Sequence, residues 1–559
     1  VLRSLAIVAL LSAAAFLVDL GSPAITESDE AFYAEASREM VERGDWVTPH
    51  FNYEHRFQKP ILYYWLASAG YRAAGVTEAM ARLPSALAGM CLALASLLIA
   101  RRWYDEAAGT LAGAIVATSF GCFAMARQAL PDLPLACFIT VATWTCLEAA
   151  AADARVAPRT RRRWLLAAAT AAALAFLMKG PVGLILPGLI ALPVAIVEWR
   201  RARRPFLELL RELGWGTPAA AVLVLAIVTP WYAAMVEEHG LSYLRHFFIG
   251  ENVERFATDR YNDPRPVWFY IPIVLGGMAP WTPLMLLWLP PLRDLARGVR
   301  ALAPAEIRLA AWAAVPLLFY TASVGKQPRY VLPVLPPLAI LLARAVARRV
   351  ADRRRGDPAR LLRAAGAASG LLLGVGALGL WNLRPVLLAA LHWGPGLAAI
   401  AIAAAAAVTI ACALARPAWL PPVLGSATLV TLLLVQLTVF RAPRPEPVEQ
   451  LAGAITVERR QGEAVAAYRI FVRNLIFYTH AKQTEIFADE GVVDFLGSSG
   501  RVFLVIDAED LARIERLPGY RGRRLMSVRF FDPARLRLDA LFDPDPDRQI
   551  GTAVLVSNR

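Results

Sequence analysis

The sequence predicts an α-helical polytopic membrane protein that ends in a soluble α/β domain. Three observations predict it. Of 559 residues, 57% are hydrophobic and only 19% charged, with a mean hydropathy of +0.46, which is too apolar for a soluble chain of this length. The apolar residues gather in runs near the roughly 20 residues that a spanning helix needs. After Pro443, Pro445 and Pro447 the composition changes to short strand-like and helix-like runs.

The apolar runs fall at 4–20, 82–100, 108–126, 133–152, 164–178, 182–197, 217–235, 267–290, 308–323, 330–346, 364–382, 396–415 and 422–440, about thirteen spans in all. Residues 4–20 can also be read as the core of a secretory signal, but Asp19 and the Gly-Ser-Pro-Ala stretch make a poor cleavage site, so a first spanning helix is expected. Because the chain starts at Val1 rather than Met, a few residues are expected to precede it.

Basic residues test the count, because cytoplasmic loops collect them. Alternate connections hold Arg101 and Arg102; Arg155, Arg159 and Arg161 to Arg163; Arg200, Arg201, Arg203, Arg204 and Arg211; Arg293, Arg297, Arg300 and Arg308; and eight arginines from Arg344 to Arg363. The intervening short connections, near Asp132, Lys179 and Lys326 to Arg329, carry one or two each. The arginine-rich side is therefore read as cytoplasmic together with the N-terminus, and an odd number of spans puts the tail on the other side.

The formal charge of +14 raises nucleic acid as a partner. Residues 1–440, however, carry 41 Lys+Arg against 28 Asp+Glu, and the last 119 residues 18 against 17. The excess lies in the membrane part, where topology accounts for it better than phosphate-backbone binding does, so nucleic acid is excluded. Cys91, Cys122, Cys137, Cys146 and Cys412 all lie in apolar stretches, which gives neither a disulfide framework nor a zinc motif.

Two connections on the outer side are long, 21–81 and 236–266, and rich in charge and aromatic rings; such loops carry function. The tail, 441–559, alternates strand-like runs (Ala464 to Ile470, Arg501 to Ile506, Leu525 to Phe530, Thr552 to Val556) with helix-like ones such as Ala508 to Arg516, the pattern of a small α/β domain.

The chemistry-bearing residues sit at that outer face. Thr26-Glu-Ser-Asp29-Glu30-Ala-Phe32-Tyr33 opens a helix expected to lie along the membrane surface, with Phe32, Ala36 and Met40 on one face and Asp29 and Tyr33 on another. Acids in a first turn also serve any helix dipole. Arg56 and Lys59, before Tyr63-Tyr64-Trp65, can hold a phosphate as fork and point charge; interfacial anchoring competes with that role. Asp132 between Pro131 and Pro134, Lys179 in Met178-Lys-Gly-Pro-Val-Gly, and Lys326 and Arg329 before Tyr330 occupy tight outer turns. A charge at membrane depth costs at least ~2.5 kcal/mol, so such residues face a cavity or a partner unless they snorkel to water. The second long loop holds Glu237, Glu238 and His239, then Arg245, His246, Glu251 and Arg255. A divalent metal is left open at His239, although no HExxH or other firm ligand spacing is present.

Taken in order, Asp29-Glu30, Lys59-Pro60, Pro131-Asp132-Leu-Pro, Lys179-Gly-Pro-Val-Gly and the stretch from Lys326 to Pro337 resemble the GT-C glycosyltransferases of the protein-mannosyltransferase-like group. Within it, Phe247-Phe-Ile-Gly-Glu-Asn-Val-Glu-Arg-Phe256, Lys-Gln-Pro-Arg-Tyr-Val-Leu-Pro-Val-Leu-Pro-Pro and the α/β tail are similar to bacterial lipid A aminoarabinose transferases. The resemblance implies a GT-C fold and an inverting enzyme of the bacterial inner membrane. It would move 4-amino-4-deoxy-L-arabinose from undecaprenyl phosphate to a lipid A phosphate at the periplasmic face, with no cofactor demanded beyond the metal left open. By position it implies Asp29 and Asp132 at the reaction centre, with Glu30 beside them as a further acid, and Lys59, Arg245 and Tyr320 on the donor phosphate. Arg56, Lys179 and Arg329 stand near, and Tyr33, Arg255 and Lys326 complete the expected substrate contacts. Two other readings remain open: the same fold with a protein or another glycan as acceptor, and a polyprenyl lipid flippase, which predicts inverted repeats and broken helices and for which no convincing repeat is seen.

Overall fold

Helix starts in the outer loops are fixed by capping side chains, which satisfy backbone N–H groups that a first turn leaves open. The computed structural model describes residues 2–259, 264–288, 302–351, 356–391, 394–441, 443–531 and 542–559; the expected basic positions Arg293, Arg297, Arg300 and Arg353 to Arg355 lie outside these. Helix α1 (Leu2–Leu17) leads to α2 (Ser28–Arg43), whose first turn is capped by Glu27 accepting from the Asp29 N–H at 3.2 Å. Gly44, at φ 69°, closes α2 in the left-handed conformation that glycine adopts without strain. A two-residue hairpin, β1 (His50–Phe51) and β2 (Glu54–His55), turns at Asn52 and Tyr53, both with positive φ. Then follow α3 (Leu62–Ala74), α4 (Glu78–Trp103, capped by Thr77), α5 (Glu106–Thr118, capped by Asp105) and α6 (Phe120–Ala126).

Helices α7 (Asp132–Ala150), α8 (Pro158–Lys179), α9 (Val182–Arg201), α10 (Phe206–Leu213) and α11 (Gly216–His239) continue the bundle. A short α12 (Leu241–Arg245) runs into a π-helical turn, His246–Glu254. All thirteen apolar runs contain helix, yet among the described residues eight helices are long and apolar enough to cross a membrane. Two pairs bent by 57° (α5 with α6) and 106° (Tyr270–Gly277 with Thr282–Trp288) bring the number to ten. The expected thirteen is thus not reached on length and hydropathy. Helix α1 has 16 residues, and α8 and Pro304–Ala322 carry charged first turns.

The tail forms a five-stranded mixed sheet. Its strands are β3 (Ala464–Tyr468), β4 (Gln483–Ile486), β5 (Val502–Asp507), β6 (Arg523–Phe531) and β7 (Ile550–Ser557), in the order β4-β3-β5-β7-β6. Strand β3 runs parallel to β4 and β5, whereas β5 and β6 run antiparallel to β7. Alternate residues of β5 point to opposite faces: Phe503 and Val505 pack under the helix Pro447–Glu458, while Leu504 and Ile506 pack under Asp489–Leu496 and Ala508–Ile514. Strand β4 is short, polar and at the sheet edge, so the sequence carries little sign of it.

This domain is bonded to the outer end of the bundle. The Glu446 carboxylate accepts from the Ala24 N–H at 2.7 Å, and the Tyr478 hydroxyl accepts from the Ile25 N–H at 2.7 Å. Asn52 exchanges two hydrogen bonds with the Gln483 backbone at 2.8 and 2.9 Å, and Asn474 donates to the Glu27 carbonyl at 3.1 Å. Arg444 reaches Glu78 at 3.0 Å.

Helix α2 departs from expectation. Instead of one buried face it is buried from Glu30 to Met40 apart from Phe32, with Arg38 forked onto Glu35 and Glu39 accepting the Tyr53 N–H at 3.0 Å. Its polar residues are buried because they are paired. At its start Glu30 meets Arg82 of α4 at 2.7 Å, and the same carboxylate accepts the Ala129 N–H at 2.9 Å. Arg82→Leu leaves Glu30 buried without its cation, which costs about 3–5 kcal/mol. The variant is expected to show a markedly lower melting temperature in detergent, and Arg82→Leu with Glu30→Leu to regain most of it; a lone Arg82→Leu that melts like wild type contradicts this.

Candidate active site

Three connections that meet only in the folded chain build one charged cluster. Asp132 begins α7, Lys179 ends α8, and Arg329 lies at the start of the span Pro328–Ala351. The Asp132 carboxylate is 4% exposed and is ion-paired on one oxygen by Lys179 and on the other by the Arg329 Nε at 3.3 Å. Arg329 extends a terminal nitrogen to Asp29 in the first turn of α2. Two acids far apart in sequence therefore share one guanidinium, with Asp132 buried and Asp29 partly open. The Lys179 ammonium also lies 4.5 Å above the Tyr330 ring. Gly180, at φ 86°, lets the chain turn sharply after Lys179; a Cβ there would come within 2.9 Å of Phe247.

Lys59 lies beside this cluster, 3.6 Å from Glu251, whose carboxylate also pairs with Arg255 at 2.8 Å. Burial, helped by the charges of Arg255, Lys179 and Arg56 and opposed by Glu251, pulls the Lys59 ammonium down to about 7. Arg56 is buried, with its guanidinium 3.8 Å over Phe32 and its Nε donating to the Tyr64 hydroxyl at 3.2 Å. Tyr33 stacks on Tyr64 at 5.4 Å and meets Tyr63 edge-on at 5.3 Å, walling the site with aromatic surface. Tyr320 is buried between Tyr330 (5.5 Å) and Tyr270 (6.5 Å). Five cationic side chains (Lys59, Arg56, Lys179, Arg255, Arg329) thus face three carboxylates (Asp29, Asp132, Glu251). Such an excess in a partly desolvated place suits an anionic ligand.

Not every expected residue joins the cluster. Glu30 turns the other way, and both its oxygens are taken by Arg82 and the Ala129 N–H. Lys326 is buried but donates to the Ser323 carbonyl, locking its own turn. Arg245 is exposed on α12 and makes no ion pair among the described residues. His239 bonds Thr48 at 2.7 Å and packs against His55 and Phe57, each at 4.9 Å. Among the described residues no group of three His, Cys, Asp or Glu is placed to hold a metal, so the ligand role raised for His239 has no partners to complete it. Glu251 and Tyr330 are the members to which the sequence assigned no role in the site. The four-residue spacing from Glu251 to Arg255 and the adjacency of Tyr330 to Arg329 were the available signs.

The sequence matches the family described as Dolichyl-phosphate-mannose-protein mannosyltransferase over residues 6–239. It is 34% identical over 339 residues to an undecaprenyl phosphate-alpha-4-amino-4-deoxy-L-arabinose arabinosyl transferase of Pseudomonas aeruginosa, covering 60% of this chain and 58% of that one. A relative of the same name from Edwardsiella ictaluri is 31% identical over 384 residues, covering 68% and 64%. The aligned part is thus less than two thirds of the length of these relatives. The crystal structure of ArnT from Cupriavidus metallidurans bound to undecaprenyl phosphate superposes with a TM-score of 0.72 at 23% identity, over 99% of this chain and 98% of that one. The fold is therefore shared from end to end, and the sequence is similar to the GT-C glycosyltransferases of the protein-mannosyltransferase-like group.

Proposed function

We propose that the protein is an inverting glycosyltransferase that moves 4-amino-4-deoxy-L-arabinose from undecaprenyl phosphate to a phosphate of lipid A. The observation that carries the reading is the cationic pocket around Asp29 and Asp132, set at the ends of spanning helices where a polyprenyl phosphate would rest. The names of the P. aeruginosa and E. ictaluri relatives, and the fold shared with a structure bound to undecaprenyl phosphate, support the donor. The lipid A acceptor rests on the resemblance of this chain to that group. Arginines at the C-terminal ends of α4 and α9 and the start of α8 lie opposite the Asp132–Lys179 end of the bundle. That distribution supports a cytoplasmic N-terminus, a periplasmic site and a periplasmic sheet domain in the bacterial inner membrane. Residues 1–440 would be the membrane domain and 441–559 the soluble one.

In this reading an oxygen of the acceptor phosphate attacks the anomeric carbon of the donor sugar from the face opposite its phosphate. The new C–O bond forms as the bond to the polyprenyl phosphate breaks, and that phosphate leaves with the electron pair. Lys59, with the Tyr320 hydroxyl and Arg245 from the rim, would stabilise the charge that grows on it. The acceptor oxygen is already anionic, so no strong base is needed. Asp29, held by Arg329, would orient the acceptor or pair with the sugar ammonium, while Asp132 fixes Lys179 and Arg329. Glu30, tied to Arg82, would set the position of the α2 first turn, Lys326 would hold the turn before Arg329, and Tyr33 and Arg255 would shape the wall of the site.

Expression in a host that makes the aminoarabinose donor but lacks its own transferase should add one aminoarabinose per modified lipid A phosphate by mass spectrometry. Asp29→Ala and Lys59→Ala should each lower turnover by at least about 100-fold, the scale of a lost transition-state contact. An unchanged lipid A spectrum from well-inserted wild-type protein contradicts the reading.

Lys59 also gives a pH dependence. Its pKa of about 7 in the free protein lies below that of an ordinary lysine, and a bound anion raises it. Above pH 7, binding of an anion must therefore take up a proton, and affinity should fall as pH rises, by up to about tenfold per unit. Calorimetry with the methyl ester of undecaprenyl phosphate, which has no titrating group here, in buffers of different ionisation enthalpy should show this uptake at pH 8. It should vanish in Lys59→Met; equal uptake by both proteins contradicts the assignment.

A further inference from the structure

The connection between β3 and β4 of the sheet domain has an unusual backbone and an unusual neighbour. Arg469 and Phe471 both hold left-handed φ angles, 62° and 51°, that side chains other than glycine rarely adopt. Such strain persists only where surrounding contacts enforce it. Here Phe471 packs on Phe530 at 5.4 Å, and Asn474, 2% exposed, donates to the Glu27 carbonyl at the start of α2. Between these two anchors Arg473 is carried out of its own domain, and its guanidinium lies 4.5 Å from the centre of the Phe32 ring.

The same ring already bears Arg56, at 3.8 Å. Two guanidinium groups from two domains thus sit on one phenyl ring, and their central carbons are no more than about 8 Å apart. A ring face attracts a cation but does not neutralise it. Among the described residues neither arginine has a carboxylate partner. Arg56 is 9% exposed with a single hydrogen bond, from its Nε to Tyr64, and the Nε of Arg473 is buried with no hydrogen-bond partner. A phosphate can accept from two guanidinium forks held within this limit when it lies beside the ring that carries them. Phe32 is one helical turn from Asp29, so an anion held there lies beside the Asp29–Arg329 pair.

We propose that Arg473 and Arg56 grip the acceptor's phosphate across Phe32, so that the soluble domain completes the acceptor site; the assignment rests on the transferase reading above. The donor phosphate is joined directly to its lipid chain and stays at the level of the span ends. The charges that act most strongly on Lys59 there are Arg255, Glu251, Lys179 and Arg56. The acceptor carries its phosphate on a sugar headgroup that stands away from its acyl chains, at the height of the docked domain. An inverting displacement also needs the two phosphates on opposite sides of the sugar.

The test uses the full-length protein in detergent with diphosphorylated lipid A and the aminoarabinose donor. Arg473→Gln, which keeps a planar group to lie on Phe32, should raise the KM for lipid A at least tenfold, with kcat and the donor KM within twofold of wild type. Arg473→Lys should recover part of the loss. Binding of diphosphorylated lipid A without donor, measured by thermophoresis, should weaken to the same degree in Arg473→Gln, and dephosphorylated lipid A should bind both proteins equally. Equal lipid A affinity in wild type and Arg473→Gln overturns the proposal, as does a shift in the donor KM instead. Lipid A binding that depends on Arg473 in a wild-type protein that transfers no sugar contradicts the transferase reading and leaves the phosphate grip standing.

Discussion

Asp132 sits at the start of a spanning helix, almost out of contact with solvent, and a carboxylate there is tolerable only when its charge is met. Lys179 and Arg329 meet it, one on each oxygen, and in doing so tie the end of α8 and the entry to the Pro328–Ala351 span to the start of α7. Arg329 then reaches Asp29 and brings α2 into the same bond network. Much of the site's geometry hangs on this one buried acid, because its two cations also belong to the cluster around Asp29. Ion pairing that a buried charge requires for its own sake here also preorganises the cations.

Charge balance distinguishes the site from the rest of the outer surface. The Glu30–Arg82 and Glu35–Arg38 pairs are closed, with cation and carboxylate matched and further hydrogen bonds to backbone or side chains. Around Asp29 the cations outnumber the carboxylates, and Lys59 responds by loosening its proton. The closed pairs hold α2 rigidly between α4 and the hairpin, so the open set sits on a fixed support. An unbalanced cluster on a rigid frame is the arrangement expected where phosphate groups enter and leave.

The sheet domain belongs to this frame. Its bonds include those to Ala24, Ile25 and Glu27 just before α2, to Asn52 in the hairpin and to Glu78 at the start of α4. Docking therefore acts on the segment that presents Asp29, Phe32 and Tyr33. The strained turn at Arg469 and Phe471 lies at this contact.

The sequence by itself determined the elements and their rough places. Hydrophobic length marks helices, the drop in hydropathy after Pro443 marks the tail, and alternation at Arg501 to Ile506 and Thr552 to Val556 marks strands, because each signal is carried by neighbouring residues. It also singled out Asp132, Lys179 and Arg329, since charge in a tight outer turn of an apolar chain is conspicuous, and Asp29 and Lys59, since they stand in a long, charged outer connection. Only the tertiary structure decided their partners. Asp29 and Arg329 are 300 residues apart, and Glu30, adjacent to Asp29, points to Arg82 instead. Side-chain direction around a helix start, and the choice of cation for each acid, follow from long-range packing that leaves no local pattern. For the same reason the burial of polar α2 and the arrival of Arg473 over Phe32 were invisible in the chain. Each depends on two surfaces, and a sequence displays only one of them at a time.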